Sequence, residues 1–362
     1  MDASTKTALW IIATGIIIAV LYLGRGIMAP FALAVFLFLT MEGFARVIDD
    51  LVPGDQRAIS RGVSILVVLS GFIGFVALMA RGVAQFGGKN APDYERRINE
   101  LIGDIYGVVG MEGDAPTLTQ LVFNETGQRF VGPIANAVGD LSGDIVLIVI
   151  YVGFLFLAQS AWPRKLDRIF IDKAQRAQVT EVAEAARKGI ESYLWTQTVV
   201  SVLITILTYG TLRILGVENA LFLSAMIFVL NYIPTVGSIV AALVPPLFAL
   251  VQPEIPAWVP GGAPQDTYIY TALVFAAVSF WQFAIGNFLQ PRMMGDSLNL
   301  SALVVLLSLA IWGAIWGIPG MFLSAPLTVL MMVLFAQSKS TRWVAILLSA
   351  NGDPRLGPDK PS

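Results

Sequence analysis

The chain has 362 residues, of which 56% are hydrophobic and 13% are charged, and its mean hydropathy is +0.74. Soluble domains carry about 25% charged residues, so this composition excludes a set of soluble domains and predicts a protein that lies mostly in lipid. The sequence contains no Cys and no His, which excludes disulfides, thiolate nucleophiles and histidine-based catalysis. A net charge of −2 without long basic blocks argues against nucleic-acid binding.

Charge-free stretches divide the chain into candidate membrane segments. Asp, Glu, Lys and Arg are absent from eight long runs, which cover 7–24, 26–41, 62–80, 145–163, 192–212, 219–253, 267–291 and 297–338. A spanning helix needs roughly 20 apolar residues, so six runs fit one crossing each, whereas 219–253 and 297–338 are about twice too long. The predicted fold class is an all-α polytopic membrane protein with about eight hydrophobic segments, equivalent to about ten segments of bilayer depth.

The first half of the chain is predicted to be a scaffold domain, 1–163, with four membrane helices. Lys6 and the run after it resemble a signal peptide, but no A-x-A cleavage site lies between this run and the second apolar run, which follows at once, so we interpret the first run as a retained helix. The polar stretch 81–144 carries apolar residues at helical spacing and predicts one or two amphipathic helices outside the bilayer. Its carboxylates are interpreted as solvated groups rather than as a catalytic pair.

The stretch 164–191 is rich in Lys and Arg and is predicted to be a basic helix. Positive charge marks cytoplasmic segments, so we place this helix inside the cell, in contact with anionic lipid head groups. The predicted transport core, 192–338, follows it, and 339–362 is predicted to be a cytoplasmic tail.

Both long runs are interrupted near their middles. Run 219–253 contains N-Y-I-P-T-V-G at 231–237, and run 297–338 contains G-I-P-G at 317–320. Proline removes a backbone donor and glycine weakens a helix, so each run is predicted to break there. Each run is then either a re-entrant helical hairpin or a proline-kinked helix, and interrupted segments in corresponding positions favour hairpins at a transporter's binding site.

Membrane topology follows from the charges between the runs. Six crossings with two hairpins place most of the 23 Lys and Arg residues inside, with both termini cytoplasmic. A plain eight-helix arrangement does the same, so charge does not choose between the two. In the hairpin arrangement, a helix followed by a hairpin occurs twice in opposite orientations, which predicts an inverted repeat.

Polar residues in the apolar runs are uncharged by the definition of the runs, and the nearest charged residues lie at the borders. The border residues are Glu42, Arg213, Glu218, Arg292 and Asp296. Other uncharged polar residues in the runs include Gln197, Ser238 and Ser324. An unpaired amide in hydrocarbon costs several kcal/mol, so such groups either line a site for a small hydroxylated solute or bond to neighbouring helices. Asn231 lies three residues before Pro234, and Asn287 and Gln290, which are three apart just before Pro291, are expected to share one helical face. The candidate substrate-binding residues are Asn231, Pro234, Thr235, Gly237, Gln282, Asn287, Gln290, Gly317, Pro319 and Gly320.

The second half of the chain closely resembles the AI-2E family of bacterial transporters, also known for its PerM-like permeases. The resemblance rests on N-Y-I-P-T-V-G-S-I-V-A-A-L-V-P at 231–245, F-L-Q-P-R-M-M-G-D at 288–296 and W-G-I-P-G-M-F-L-S-A-P-L at 316–327. The residues that match the family's pattern are Asn231, Pro234, Gly237, Pro291, Gly295, Gly317, Gly320 and Pro326.

The resemblance implies a transporter in the bacterial cytoplasmic membrane. An intramembrane enzyme is a remote alternative, because without His or Cys it would need an aspartyl pair, and no such pair lies inside an apolar run. We therefore predict no enzymatic activity, no cofactor and no bound metal. The resemblance also implies a homo-oligomer, for which we guess a pentamer. Some relatives resemble exporters of autoinducer-2, and others resemble sodium(lithium)/proton antiporters. Ile285 stands where many members of the family carry Glu, and this departure counts against cation antiport and favours a neutral solute. Antiport through Glu218 or Asp296 is the alternative, and a non-transporting scaffold is a remote one.

Overall fold

The computed structural model describes residues 3–51, 57–86, 91–110, 115–170, 172–254, 256–259, 264–294 and 299–354. The helices of the first half are α1 (Ala3–Leu23), α2 (Arg25–Leu51), α3 (Arg57–Phe86), α4 (Ala91–Val109), α5 (Leu118–Phe123), α6 (Glu125–Gln159) and α7 (Trp162–Ile169). The second half contains α8 (Lys173–Leu215), α9 (Ala220–Leu230), α10 (Val236–Val251), α11 (Pro264–Ala284), the π-helical segment Ile285–Leu289, α12 (Gln290–Met294), α13 (Ala302–Trp316), α14 (Ile318–Ala336) and α15 (Arg342–Leu348).

Ten of the described helical stretches are apolar, in agreement with the estimate from the charge-free runs. Five are long and apolar enough to cross a membrane by length and composition, namely Arg25–Asp49, Gly62–Gly82, Lys173–Leu215, Asp266–Met293 and Ile318–Ala336. Five more are shorter, namely Ile11–Leu23, Gly143–Gln159, Ala220–Leu230, Val236–Val251 and Ala302–Trp316. Most large apolar side chains on α1 are exposed, and those described on α3 are exposed or half-buried, as expected for helices that contact lipid. The prediction of an all-α polytopic membrane protein is confirmed.

Several helices extend beyond the charge-free runs that predicted them. α2 continues to Leu51 and α3 begins at Arg57, so helix occupies most of the charged stretch 42–61 that separates the second apolar run from the third. α8 joins the basic stretch after residue 173 and the apolar run 192–212 in one helix of 43 residues. Charged side chains therefore mark where these helices leave the apolar region, not where the helices end, because Lys, Arg and Glu are good helix formers.

Each of the two long runs contains two helices with a break between them. α9 and α10 are separated at 231–235, and α13 and α14 are separated at Gly317. Gly317 has φ +66°, a left-handed conformation that suits glycine, and Pro319 lies in the first turn of α14, where proline is tolerated. The two arms of the second pair lie side by side, since the Trp312 indole donates to Thr328 Oγ1 at 3.3 Å. That these pairs are re-entrant stays a prediction.

The chain folds into two compact units, each assembled from separated segments. Unit 1 comprises Met1–Val68, Gly143–Thr196 and Met294–Ser362, and unit 2 comprises Leu69–Ser142 and Gln197–Met293. α8 contributes to both units, so they do not follow the predicted boundaries at 163, 191 and 338. The predicted scaffold, basic helix, transport core and tail remain a functional division that the fold does not test.

Aromatic contacts hold unit 1 together around α2. Phe36 packs on Phe322 of α14, Phe38 packs on Phe156 of α6, and Phe44 packs on Trp195 of α8, with ring centroids 4.8 to 5.0 Å apart. Edge-to-face contacts of this kind each add about 0.5–1.5 kcal/mol to area burial. α2 is therefore the common neighbour of three other elements of its unit.

Unit 2 has an apolar core between α8, α9, α10 and α11. The fully buried members include Val200, Leu223, Ile227, Ala241 and Val274. The amphipathic helix α4, which comes from the predicted external stretch 81–144, packs against this core with Tyr94, whose ring lies 5.6 Å from that of Phe248. A helix from the polar part of the chain thus adds to a core made of apolar runs.

The hydroxyl of Tyr94 ties α4 to the loop between α8 and α9. It donates to Glu218 Oε2 at 2.6 Å, and Arg97 Nη2 donates to Thr267 Oγ1 on α11 at 3.0 Å. Burial, followed by the hydrogen bond to Glu218, raises the pKa of Tyr94 above its ordinary value. The protonated Tyr94 hydroxyl therefore stabilises the fold fully below about pH 10, the ordinary tyrosine pKa, and this stabilisation is lost as the pH rises through the raised pKa.

Tyr94→Phe is expected to lower the free energy of unfolding by about 2 kcal/mol, because it removes a hydrogen bond to a charged group and keeps the ring contact. Thermal denaturation of the purified protein in detergent measures the change. Tyr268→Phe is the control, since Tyr268 is exposed on α11 and its loss should leave the midpoint unchanged. Equal midpoints for both variants would contradict a role for Tyr94 in docking α4.

Candidate functional site

Three of the predicted binding residues lie together in unit 2, and a fourth amide joins them. Asn231 caps the C-terminus of α9, Gln282 lies on α11, and Gln290 begins α12. Gln197, on α8, lies among them. We call these four residues the amide cluster. Four separate helices contribute one side chain each, so the cluster exists only in the folded unit.

Hydrogen bonds connect the four amides in a chain. Gln290 Nε2 donates to Gln197 Oε1 at 3.2 Å, and Gln197 Nε2 donates to the main-chain oxygen of Asn231 at 2.6 Å. Gln282 Nε2 donates to Asn231 Oδ1 at 3.4 Å. The break after α9 is what makes the Asn231 carbonyl available, because a continuing helix would supply its own N–H to that oxygen.

The amide cluster contains a buried hydrogen-bond donor without a partner. Asn231 is 7% exposed, Gln197 is 3% exposed and Gln282 is 8% exposed. Within the described residues, Nδ2 of Asn231 has no acceptor. Leaving a buried donor unsatisfied costs about 1–3 kcal/mol, which an acceptor atom of a bound solute would offset.

The π-helical segment Ile285–Leu289 separates two amides that were expected to share a face. Asn287 is exposed and donates to the main-chain oxygen of Phe283 at 3.0 Å, whereas Gln290 reaches Gln197. The expectation assumed α-helical spacing, and a π-helical turn contains an additional residue that changes which side chains align. The structure therefore places Asn287 outside the amide cluster.

The turn between α9 and α10 is tightly built. Thr235 is exposed, has φ +57°, and donates its hydroxyl hydrogen to the carbonyl oxygen of Pro234 at 2.6 Å. Gly237 is buried, and a Cβ at this position would overlap the carbonyl oxygen of Leu230. These residues shape the turn, and the Thr235 hydroxyl is already engaged within it.

The remaining predicted site residues belong to the other broken pair, which lies in unit 1. Gly317 and Pro319 form the turn before and into α14, and a Cβ on Gly320 would overlap the carbonyl oxygen of Trp312. In both broken pairs, therefore, a glycine early in the second helix allows that helix to lie close to the end of the first helix. That the two turns meet at one site stays a prediction.

Gln197 is the residue that sequence reasoning left out of the site. It was one of several uncharged polar residues in the apolar runs, and its run, 192–212, shows no break to draw attention to it. The free-energy cost of an unpaired amide in hydrocarbon was the signal in the sequence that could have identified Gln197. Ser238 is exposed, and Ser324 donates to the carbonyl oxygen of Met321 at 2.8 Å, so neither extends the amide cluster.

The border residues do not gather into an ionisable site within the described part of the chain. Glu218 accepts the hydrogen bond from Tyr94, Glu42 is buried in unit 1, and Arg213 and Arg292 are exposed. Asp296, and with it Gly295, lies outside the described residues. Among the described residues, no three Asp or Glu side chains are close enough to hold a metal ion.

The ten apolar helices define a multi-pass membrane protein, and a buried cluster of neutral amides lies beside one of its helix breaks. A family model described as "AI-2E family transporter" matches residues 11–340. The chain belongs to the AI-2E transporter family, which confirms the resemblance read from its motifs, and it is a membrane transporter.

Three relatives illustrate the match. The AI-2 transport protein TqsA of Escherichia coli (strain K12) is 25% identical over 330 residues, which cover 89% of each chain. YhhT of the same strain, named as a candidate transport protein, is 26% identical over 96% of this chain and 92% of its own length. A candidate transport protein of Haemophilus influenzae is 26% identical over 95% of this chain and 96% of its own.

Proposed function

We propose that the transporter exports a small, polar, uncharged organic solute, similar to autoinducer-2, across the bacterial cytoplasmic membrane. The observation that carries the proposal is the amide cluster with the open Asn231 Nδ2 donor. The name of TqsA, the AI-2 transport protein, supports a solute of that kind. Both termini are proposed to be cytoplasmic, as the distribution of Lys and Arg predicts.

The chemistry of the amide cluster favours a neutral solute over a cation. Amides offer N–H donors and carbonyl acceptors without formal charge, which match hydroxyl, ether and carbonyl groups. A desolvated cation is usually held by carboxylates, and the described residues bring no acidic group into hydrogen bonding with the four amides. Solute binding would also satisfy the Asn231 Nδ2 donor, so a solute with an acceptor group is favoured.

The proposed transport movement is elevator-like. The two broken helix pairs would act as re-entrant hairpins that carry the solute past the scaffold helices of 1–163, and the scaffold would also hold the subunits of a homo-oligomer, a pentamer by our guess. Broken helices are the usual place where main-chain groups become available to a solute inside a membrane.

Asn231→Ala is expected to lower the transport rate of labelled autoinducer-2 in proteoliposomes about tenfold, the effect of one lost hydrogen bond to the solute. Asn287→Ala is the matched control, because it removes the same side chain from an exposed position outside the amide cluster. Pro234→Ala tests the turn in the same assay. Unchanged transport in both Asn231→Ala and Pro234→Ala would overturn the site.

Sodium(lithium)/proton antiport is the alternative outcome, and a non-transporting scaffold is the remote one. Everted vesicles with a pH-sensitive dye distinguish them from solute export. A sodium- or lithium-dependent pH change that Glu218→Gln abolishes would replace the export proposal by antiport. If sealed proteoliposomes transported neither the solute nor cations, a non-transporting scaffold would be the remaining interpretation.

A further inference from the structure

The short helix α7 begins where a membrane segment ends. The apolar stretch Gly143–Gln159 closes α6, and only Ser160 and Ala161 separate it from Trp162, the first residue of α7. An apolar segment that crosses the bilayer ends at its surface, which would place the start of α7 at the level of the lipid head groups. Phe170 ends the helix with its own N–H bonded to the Leu166 carbonyl oxygen.

One side of α7 is apolar and exposed within its unit. Trp162, Leu166 and Ile169 recur at the spacing of a single helical face. Trp162 is 59% exposed and Ile169 is 67% exposed. An exposed Trp at the end of a membrane segment is typical of the interface, where the ring contacts acyl chains and the indole N–H remains hydrated.

The rest of α7 carries positive charge that no described acidic residue neutralises. Arg164, Lys165 and Arg168 are exposed and make no ion pair within the described residues. Asp167 is the acidic residue of this helix, and it is paired with Arg176 of α8. The helix therefore presents three free cations beside its apolar face.

We propose that α7 is a binding surface for anionic phospholipids. Trp162, Leu166 and Ile169 would enter the boundary between head groups and acyl chains, and Arg164, Lys165 and Arg168 would contact lipid phosphates. An amphipathic helix with cations beside an aromatic apolar face binds membranes through both terms, and each Lys or Arg near an anionic surface adds to the attraction. This surface is separate from the amide cluster, so it stands whichever solute is transported.

A lipid titration of the full-length protein tests the proposal. Purified protein in a neutral detergent is titrated with phosphatidylglycerol or phosphatidylcholine, and its thermal denaturation midpoint is followed. The wild type is expected to be stabilised at lower concentrations of phosphatidylglycerol than of phosphatidylcholine. Removing the cations in R164Q/K165Q/R168Q is expected to raise the half-saturating phosphatidylglycerol concentration by about fivefold for each cation, and to leave the phosphatidylcholine response unchanged.

The control removes the same number of exposed cations from positions of unit 1 outside 164–191, in R25Q/K339Q/R342Q. This variant is expected to behave like the wild type in the titration. An equal loss of phosphatidylglycerol preference in both triple variants would show a diffuse charge effect and would overturn a site on α7. An unchanged preference in R164Q/K165Q/R168Q would overturn it as well.

Quenching by brominated lipids tests the apolar side independently of the cations. In proteoliposomes, the wild type and Trp162→Phe are compared, and the difference in fluorescence reports Trp162 alone. Quenching of this difference signal by lipids brominated near the head group is expected. A difference signal that brominated lipids do not quench would place Trp162 in water and would overturn the proposal.

Discussion

Gly237→Ala is expected to destabilise the protein by about 3 kcal/mol, because the added Cβ overlaps main-chain atoms that cannot rotate away. The overlapped atom is the carbonyl oxygen of Leu230, at the end of α9, and the Leu230 carbonyl carbon and Ile233 Cβ would lie 2.7 and 3.1 Å from the new methyl group. The arms of the first broken pair would have to separate. Thermal denaturation in detergent measures the loss, and transport should fall with it because Asn231 lies in the same turn.

Gly210→Ala is the control, since it makes the same change in the last turns of α8, where nothing lies within 4 Å of the added methyl group. It is expected to be neutral or stabilising by up to about 1 kcal/mol, the helix preference of Ala over Gly. Gly320→Ala and Gly153→Ala form the corresponding pair in unit 1. Equal stability of Gly237→Ala and Gly210→Ala would contradict the close approach of α9 and α10.

Arg46→Met is expected to lower the free energy of unfolding by about 3 kcal/mol, because it leaves a buried carboxylate without its main partner. Arg46 of α2 forms an ion pair with Glu191 of α8, which is 5% exposed, and Arg187 Nε lies 3.6 Å from the other carboxylate oxygen. The measurement is a denaturation midpoint in detergent. Arg187 alone does not replace Arg46, since its distance exceeds that of a good charge-assisted hydrogen bond.

The double variant R46M/E191Q separates the charge from the packing. It is expected to lie within about 1 kcal/mol of the wild type, because it removes the carboxylate together with its partner. Arg176→Met is the control, as its ion pair with Asp167 has both side chains about half exposed and should contribute less than about 1 kcal/mol. A double variant as unstable as Arg46→Met would show that the guanidinium acts through packing alone.

Patterns along the chain predicted the local structure well. The excess length of 219–253 and 297–338, together with Pro234 and Gly317, predicted two broken helix pairs, because the causes of a helix break lie within a few residues of it. The ends of helices were less predictable. α8 continues past residue 191, the predicted end of the basic stretch, because charged residues form helix as readily as apolar ones. A helix can therefore pass from water into lipid without a change in its backbone conformation.

The candidate site was predictable only in part. Asn231 and Gln290 were predicted because each lies close to a proline, Pro234 and Pro291 respectively. Gln197 lies in an unbroken run and joins them only when α8 packs beside α9 and α12. The prediction that Asn287 shares a helical face with Gln290 was wrong, because it assumed α-helical spacing and the π-helical segment Ile285–Leu289 changes that spacing. The residue types I-G-N-F-L do not distinguish a π-helical segment from an α-helical one.

The sequence by itself determined that the protein lives in lipid, how many apolar segments it has, where two of them break and to which family it belongs. These properties depend on composition and on neighbours within a few residues. Only the tertiary structure decided which amides meet and which donor is left open, because their partners lie 34 to 93 residues apart in the chain. Hydrogen-bond partners at that distance are chosen by helix packing, which local sequence does not encode.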